Sequence, residues 1–150
     1  MGSSLGIKCK DCNYSITLML GIGMMYSPNS LVDFDSGYNI FSSLLKSNTM
    51  LNRVRGLILE EGGILLDGYQ HDAYFCPKCS FITDRFTFQI YYPGGLYEPS
   101  YRCNRCKSNL KKMNININED DEALDLSKFA CPDCGKFSLE EDITSIIMWD

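Results

Sequence analysis

Apolar positions along the chain fall into short runs broken by polar and glycine-rich segments, and most of these runs read as strands. The clearest is Arg85-Phe86-Thr87-Phe88-Gln89-Ile90-Tyr91-Tyr92, rich in aromatic and β-branched residues. Ser15 to Leu20 is a second. It is followed by Gly21-Ile22-Gly23-Met24-Met25-Tyr26, whose small-then-large pattern reads as a strand with a bulge packing into the core. Weaker alternation runs from Met113 to Ile117. Ile143 to Trp149 reads as a last strand, with Trp149 a buried anchor. Short leads at Ala73-Tyr74-Phe75, Ser100-Tyr101-Arg102 and Lys128-Phe129-Ala130 add strand character, and Pro93-Gly94-Gly95 supplies a turn.

One stretch carries a helical period instead. Met50, Leu51, Val54, Leu57 and Ile58 share one face, with Thr49 as the expected N-cap and Gly62-Gly63 as the stop. A shorter helix, about Tyr38 to Lys46, precedes it with Phe41, Leu44 and Leu45 inward. The helical insertion thus spans about 38–62. Ser27 to Gly37 reads as a loop, and Asn118 to Asp125 as an acidic loop.

Eight cysteines punctuate this pattern in four pairs of identical spacing: Cys9/Cys12, Cys76/Cys79, Cys103/Cys106 and Cys131/Cys134. A Cys-x-x-Cys turn aims two sulfurs at one ion while nearby amides donate to the thiolates, so two such knuckles make a tetrathiolate site. Four knuckles imply two metal ions. Disulfides are the rival, but the N-terminus lacks a basic start followed by an apolar stretch, and the chain is long and core-rich. Zinc is favoured over iron because it needs no redox machinery and dominates closed structural sites of four cysteines. Such a site has no open position for water, which excludes zinc catalysis at it.

The knuckles are separated by 63, 23 and 24 residues. Sequential pairing would join Cys9/Cys12 with Cys76/Cys79, and Cys103/Cys106 with Cys131/Cys134. Nested pairing would join the middle two knuckles and the terminal two. Self-containment of each half leans toward sequential pairing. A natural hairpin between the middle knuckles, Phe81 to Tyr92 with Leu96 to Arg102, speaks for the nested one. Gly135, after the last cysteine, suits a left-handed turn; Asn13, Ser80 and Lys107 hold that place in the other knuckles, Lys107 least comfortably.

With these knuckles and their flanking strands, about half of the chain resembles the zinc-ribbon or rubredoxin-like group. Cys76-Pro77-Lys78-Cys79 and Cys131-Pro132-Asp133-Cys134 are similar to rubredoxin's Cys-Pro-x-Cys form. The resemblance implies a metal-centred fold and leaves activity open, since ribbons occur in transcription factors, ribosomal proteins and polymerase subunits and as accessory modules of enzymes. The expected fold is α+β: a single compact unit, 1–150, of two zinc ribbons with a helical insertion between the first and second knuckles.

Charge narrows the partners. The formal net charge is −5. Two tetrathiolate sites, each −2 with a divalent ion, take it to about −9. That disfavours broad nucleic-acid binding, which relies on Lys and Arg. One basic cluster stands out: Arg102, Arg105, Lys107, Lys111 and Lys112 around the third knuckle, with Tyr101 beside it. It either contacts phosphates, with Tyr101 stacking on a base, or offsets the charge of its own metal site. The acidic residues Glu119, Asp120, Asp121, Glu122 and Asp125 follow directly and are expected to pair with it. His71, the only histidine, reads as a surface or turn residue. No phosphate loop, nucleophile elbow or HExxH motif is present. No apolar run reaches the roughly 18 residues of a membrane span. The expectation is a cytoplasmic, non-enzymatic metal-binding module holding two zinc ions and binding another macromolecule, a protein ahead of nucleic acid. An iron or thiol redox protein is the rival from another class.

Overall fold

The chain doubles back at each of its first two knuckles, and these two hairpins organise the rest. The computed structural model describes residues 2–37, 39–115, 125–145 and 147–149. In chain order the elements are β1 (Gly2–Cys9), β2 (Ser15–Gly21), α1 (Pro28–Val32), α2 (Ile40–Leu44), α3 (Asn48–Leu59), β3 (Ile64–Leu65) and β4 (Gln70–Phe75). There follow β5 (Ile82–Thr87), β6 (Ile90–Tyr92), β7 (Gly95–Tyr97), β8 (Lys111–Lys112), β9 (Leu139–Glu141), one 3-10 turn (Ile143–Ser145) and β10 (Met148–Trp149). The fold is mixed, with antiparallel sheets, few helices and two cysteine clusters. No helix among the described residues is long and apolar enough to cross a membrane.

The larger sheet contains the same three-stranded arrangement twice. In one, β1 and β2 pair from Gly2↔Gly21 to Lys8↔Ser15 with the first knuckle as their turn, and β9 lies on the other side of β1. In the other, β4 and β5 pair from Gln70↔Thr87 to Phe75↔Ile82 around the second knuckle, and β8 lies on the other side of β4. The two arrangements meet where Gly21 of β2 pairs with His71 of β4. The smaller sheet, β3-β6-β7, stands apart.

β1 is the strand that the sequence pattern hides. Its Gly-Ser-Ser-Leu-Gly run has no β signature, yet it is flanked by β2 on one side and by β9 and β10 on the other. Small residues are needed there: a Cβ on Gly2 would lie 2.3 Å from the Trp149 indole. Trp149 is held by Nε1 donating to the Ser3 carbonyl (3.2 Å), with its ring 5.6 Å from His71. The chain's last run is therefore split, as a 3-10 turn and the two-residue β10, instead of one strand.

Four further expectations need correction. Arg85–Tyr92 is two strands, because the chain leaves the large sheet at Thr87 and joins the small one at Ile90, with Phe88 buried between them. Past Gly21, which ends β2 at φ 80, the chain from Ile22 to Tyr26 is a turn: Met24 and Met25 are exposed, Gly23 is buried, and Ile22 and Tyr26 pack against the second core. Ser27–Gly37 contains α1, where Ser27 caps the helix and Pro28 occupies its first turn. Of the run from Met113 to Ile117, the described residues Met113–Ile115 form no strand; Asn116 and Ile117, like residues 118–124 of the acidic loop, lie outside the described residues.

Two cores result. Leu5, Ile7, Leu18 and Leu20 pack with Ala73, Ile82 and Leu139 in the first. In the second, helix residues Leu31, Phe41, Val54 and Leu57 close over Phe86, Phe88 and Ile90. The face of α3 is as its period predicts, but it is capped by Ser47, whose Oγ accepts from Met50 N, two residues before Thr49. Gly62, at φ 67, ends it, and Gly63 N donates to Leu57 O (2.7 Å).

Candidate metal centres

The four knuckles share one backbone hydrogen bond, and the last three also share a left-handed turn that Asn13 does not adopt in the first. The first cysteine's N–H donates to the carbonyl five residues on: Cys9 to Tyr14 (3.0 Å), Cys76 to Phe81, Cys103 to Ser108 and Cys131 to Lys136 (each 2.8 Å). Ser80, Lys107 and Gly135 donate back to the first cysteine's carbonyl and sit at φ 62, 63 and 74. Lys107 thus takes the left-handed place despite its side chain, at a cost of roughly 1–2 kcal/mol. The amides of Tyr14, Phe81, Ser108 and Lys136 point at the sulfur of the second cysteine in each knuckle.

The sulfurs gather into two tetrads, Cys9/Cys12/Cys131/Cys134 and Cys76/Cys79/Cys103/Cys106. This is the nested pairing, and it corrects the lean toward sequential pairing. The cause lies in short strands: β9, after the fourth knuckle, pairs with β1, which leads into the first. Likewise β8, after the third knuckle, pairs with β4, which leads into the second.

The spacing fits a metal. Sγ separations are 3.7 Å for Cys9–Cys134, 3.6 Å for Cys12–Cys131, 3.4 Å for Cys76–Cys106 and 3.5 Å for Cys79–Cys103. Metal–sulfur bonds of about 2.3 Å in a tetrahedron put sulfurs about 3.8 Å apart, whereas a disulfide needs about 2.05 Å. Either tetrad can hold one ion.

Electrostatics point the same way. Ser108, through its side chain and its amide, draws the Cys106 thiol down to about 6. Burial raises Cys103, yet amide hydrogen bonds at Cys106 and Arg105 leave it below the ordinary thiol value. Cys12 and Cys79 go the other way, to about 12. The amides of Tyr14 and Phe81 lower them, but burial and the three neighbouring sulfurs push harder. Within each tetrad some sulfurs ionise at the expense of others, and a cation is what lets all four be thiolates.

The cationic cluster is dispersed. Lys112 Nζ pairs with Asp72 (2.6 Å). Arg105 lies over the Phe81 ring and reaches across to the fourth knuckle, bonding Pro132 O (3.3 Å) and Asp133 (3.5 Å), so it ties one tetrad to the other. Lys107 Nζ donates to Asn104 O. Tyr101 is half-buried; its hydroxyl donates to Phe86 O and its ring packs edge-on against Tyr74. Arg102 and Lys111 stay exposed, and no carboxylate among the described residues pairs with them. Of the acidic run only Asp125 is described, and it pairs with Lys128. His71 is not a surface or turn residue: it lies in β4, its side chain 15% exposed, against Phe86, Tyr26 and Trp149.

Sequence reasoning missed a row of apolar side chains. Ile64, Tyr91 and Leu96 stand opposite one another across β3, β6 and β7, at 63%, 59% and 51% exposure. The other face of this sheet, Leu65, Ile90 and Tyr97, packs into the second core. The pairing that aligns the row is long-range, so no local signal marks it.

The chain matches no protein-family model, no curated protein and no solved structure.

Proposed function

We propose that the chain is a non-enzymatic zinc-binding module of two zinc ribbons with a helical insertion, displaying a rigid surface to another protein. Four sulfurs complete each metal's coordination shell, so the ion is a scaffold that locks knuckles and strands. The observation that carries the reading is the row Ile64, Tyr91 and Leu96, held in register on a sheet whose inner face is fixed in the core. An exposed apolar row centred on a tyrosine has the composition of a protein-binding hot spot.

The test is a pull-down from host lysate with the wild-type chain, an Ile64→Ser/Tyr91→Ser/Leu96→Ser variant and an Arg102→Gln/Arg105→Gln/Lys107→Gln variant, each with and without nuclease. The expected result is a protein captured by the wild type and by the charge variant despite nuclease, and lost from the apolar-row variant at unchanged metal content. Nuclease-sensitive capture that disappears in the charge variant would make the chain a nucleic-acid-binding ribbon instead. Purified protein with zinc is colourless; a red, visibly absorbing protein would indicate rubredoxin-like iron.

A further inference from the structure

Between the helical insertion and the third knuckle lies a cleft of about 580 Å³ that the reading above does not use. One wall runs from Ser43 at the end of α2 to Met50 in the first turn of α3. The other comes from β5, Thr83 to Phe86, and from Ser100 to Asn104 leading into the third knuckle. Its size is that of a small-molecule site.

Its charge is opposite to that of the chain. Lys46, Arg85 and Arg102 line it against a single carboxylate, Asp84, while the chain carries −5. Among the described residues no carboxylate pairs with any of the three cations. Arg85 is also pre-oriented. Its Nη1 donates to Thr83 Oγ1 and Asp84 O (both 2.8 Å), its Nη2 donates to Asn104 Oδ1 (3.4 Å), and its guanidinium lies 5.9 Å from the Tyr101 ring centre. A guanidinium has five N–H donors, so this one is fixed in place with donors to spare. His71 adds a buried ring nitrogen, Nδ1, that has no hydrogen-bond partner; Asp84 Oδ2 is 3.8 Å away. Leu44, Leu45, Met50 and Phe86 supply the apolar part of the lining.

We infer that this cleft binds a small phosphate monoester carried on an apolar or aromatic body. Arg85 and Arg102 meet the phosphate in the bidentate manner guanidinium groups favour, Lys46 meets it from the opposite wall, and the body lies on the Leu44–Met50 side. The cleft's size and its three cations suit one phosphate group better than a polyanion, whose further charges would meet a negative protein.

The experiment is an NMR titration of the metal-loaded full chain with phenyl phosphate, adenosine monophosphate, inorganic phosphate and phenol. Phenyl phosphate is expected to move the amide signals of Ser43–Ser47, Arg85 and Arg102–Asn104 saturably, binding at least about tenfold tighter than inorganic phosphate or phenol. A tighter response to adenosine monophosphate would assign the site to nucleotides, and a weaker one to smaller esters; both keep the phosphate monoester. Arg102→Gln and Lys46→Gln, both at exposed positions, are expected to weaken binding at least about fivefold with the fold intact, and Lys111→Gln, outside the cleft, to leave it unchanged. The inference is overturned by no saturable shift, by shifts outside the cleft, or by an equal loss in Lys111→Gln.

Discussion

The two tetrads share one construction and differ in what surrounds them. The middle one joins cysteines 24 and 30 residues apart and buries Cys76 and Cys103 almost completely, against Tyr74 and Leu110. The terminal one joins cysteines 119 and 125 residues apart and leaves Cys134 exposed. Its Cys9 and Cys131 are buried in the first core, as Cys76 and Cys103 are among their own neighbours, and ion pairs rim it: Lys8 and Lys10 with Glu140, and Lys136 with Asp11. Exposed pairs of this kind are worth about 0–1 kcal/mol each. The middle site therefore sits by the β4–β5 hairpin at one end of the sheet, with all four sulfurs at least partly covered, and the terminal site fastens strands from the two ends of the chain.

The largest expected effect is that of removing both ions. Each structural site contributes about 10 kcal/mol or more to folding, so chelation should abolish the tertiary circular-dichroism signal. A signal that survives would mean that the cores hold without metal. Next comes the asymmetry between sites: Cys103→Ser should cost about 4 kcal/mol or more in denaturant unfolding. Cys134→Ser should cost less, and hydrogen exchange should localise its loss to β9 and β10. Equal damage from the two would erase the distinction. Under a strong chelator the ions should leave in two phases, the terminal one about tenfold faster, because attack on an exposed sulfur needs no opening of the core.

Acidity gives a subtler readout. In the metal-free middle tetrad Cys79, at about 12, still holds its proton at neutral pH, while Cys106, at about 6, has lost its own. Metal binding must expel the Cys79 proton, so affinity rises with pH; below about pH 6 Cys106 must also be deprotonated, and the fall becomes steeper. Competition with a chelator across that range measures the slope, and a flat profile would contradict the thiolate assignment. The smallest effect is at Lys107. Replacing it by Gly relieves the left-handed backbone cost of roughly 1–2 kcal/mol and adds about 0.4–1 kcal/mol of unfolded-chain entropy, a net gain of about 0.5–1 kcal/mol in stability. A destabilised Lys107→Gly protein would refute that reading of the turn.

The ligands were legible because a knuckle is a local device: spacing, turn and amide donors all lie within about six residues of one another. Their pairing was not, because it depends on β8, two exposed lysines, and β9, a Leu-Glu-Glu segment, neither of which carries a strand signal. β1 stayed hidden for a related reason. Its Gly2 leaves room for the Trp149 indole, and close approach selects against the residues that announce a strand. The face of α3 could be read from its period, while α1 could have been found from the Ser27-Pro28 start alone. The cleft and the row Ile64–Tyr91–Leu96 join residues far apart in the chain, and only strand pairing brings them together.

The nested pairing of the knuckles sets the whole arrangement of strands, and it can be tested without altering the protein. Loading it with NMR-active cadmium and correlating each metal with the β-protons of its cysteines identifies the ligands directly. Two cadmium signals are expected, one coupled to Cys9, Cys12, Cys131 and Cys134 and the other to Cys76, Cys79, Cys103 and Cys106. A cadmium coupled to Cys9 and Cys12 together with Cys76 and Cys79 would contradict the nested pairing.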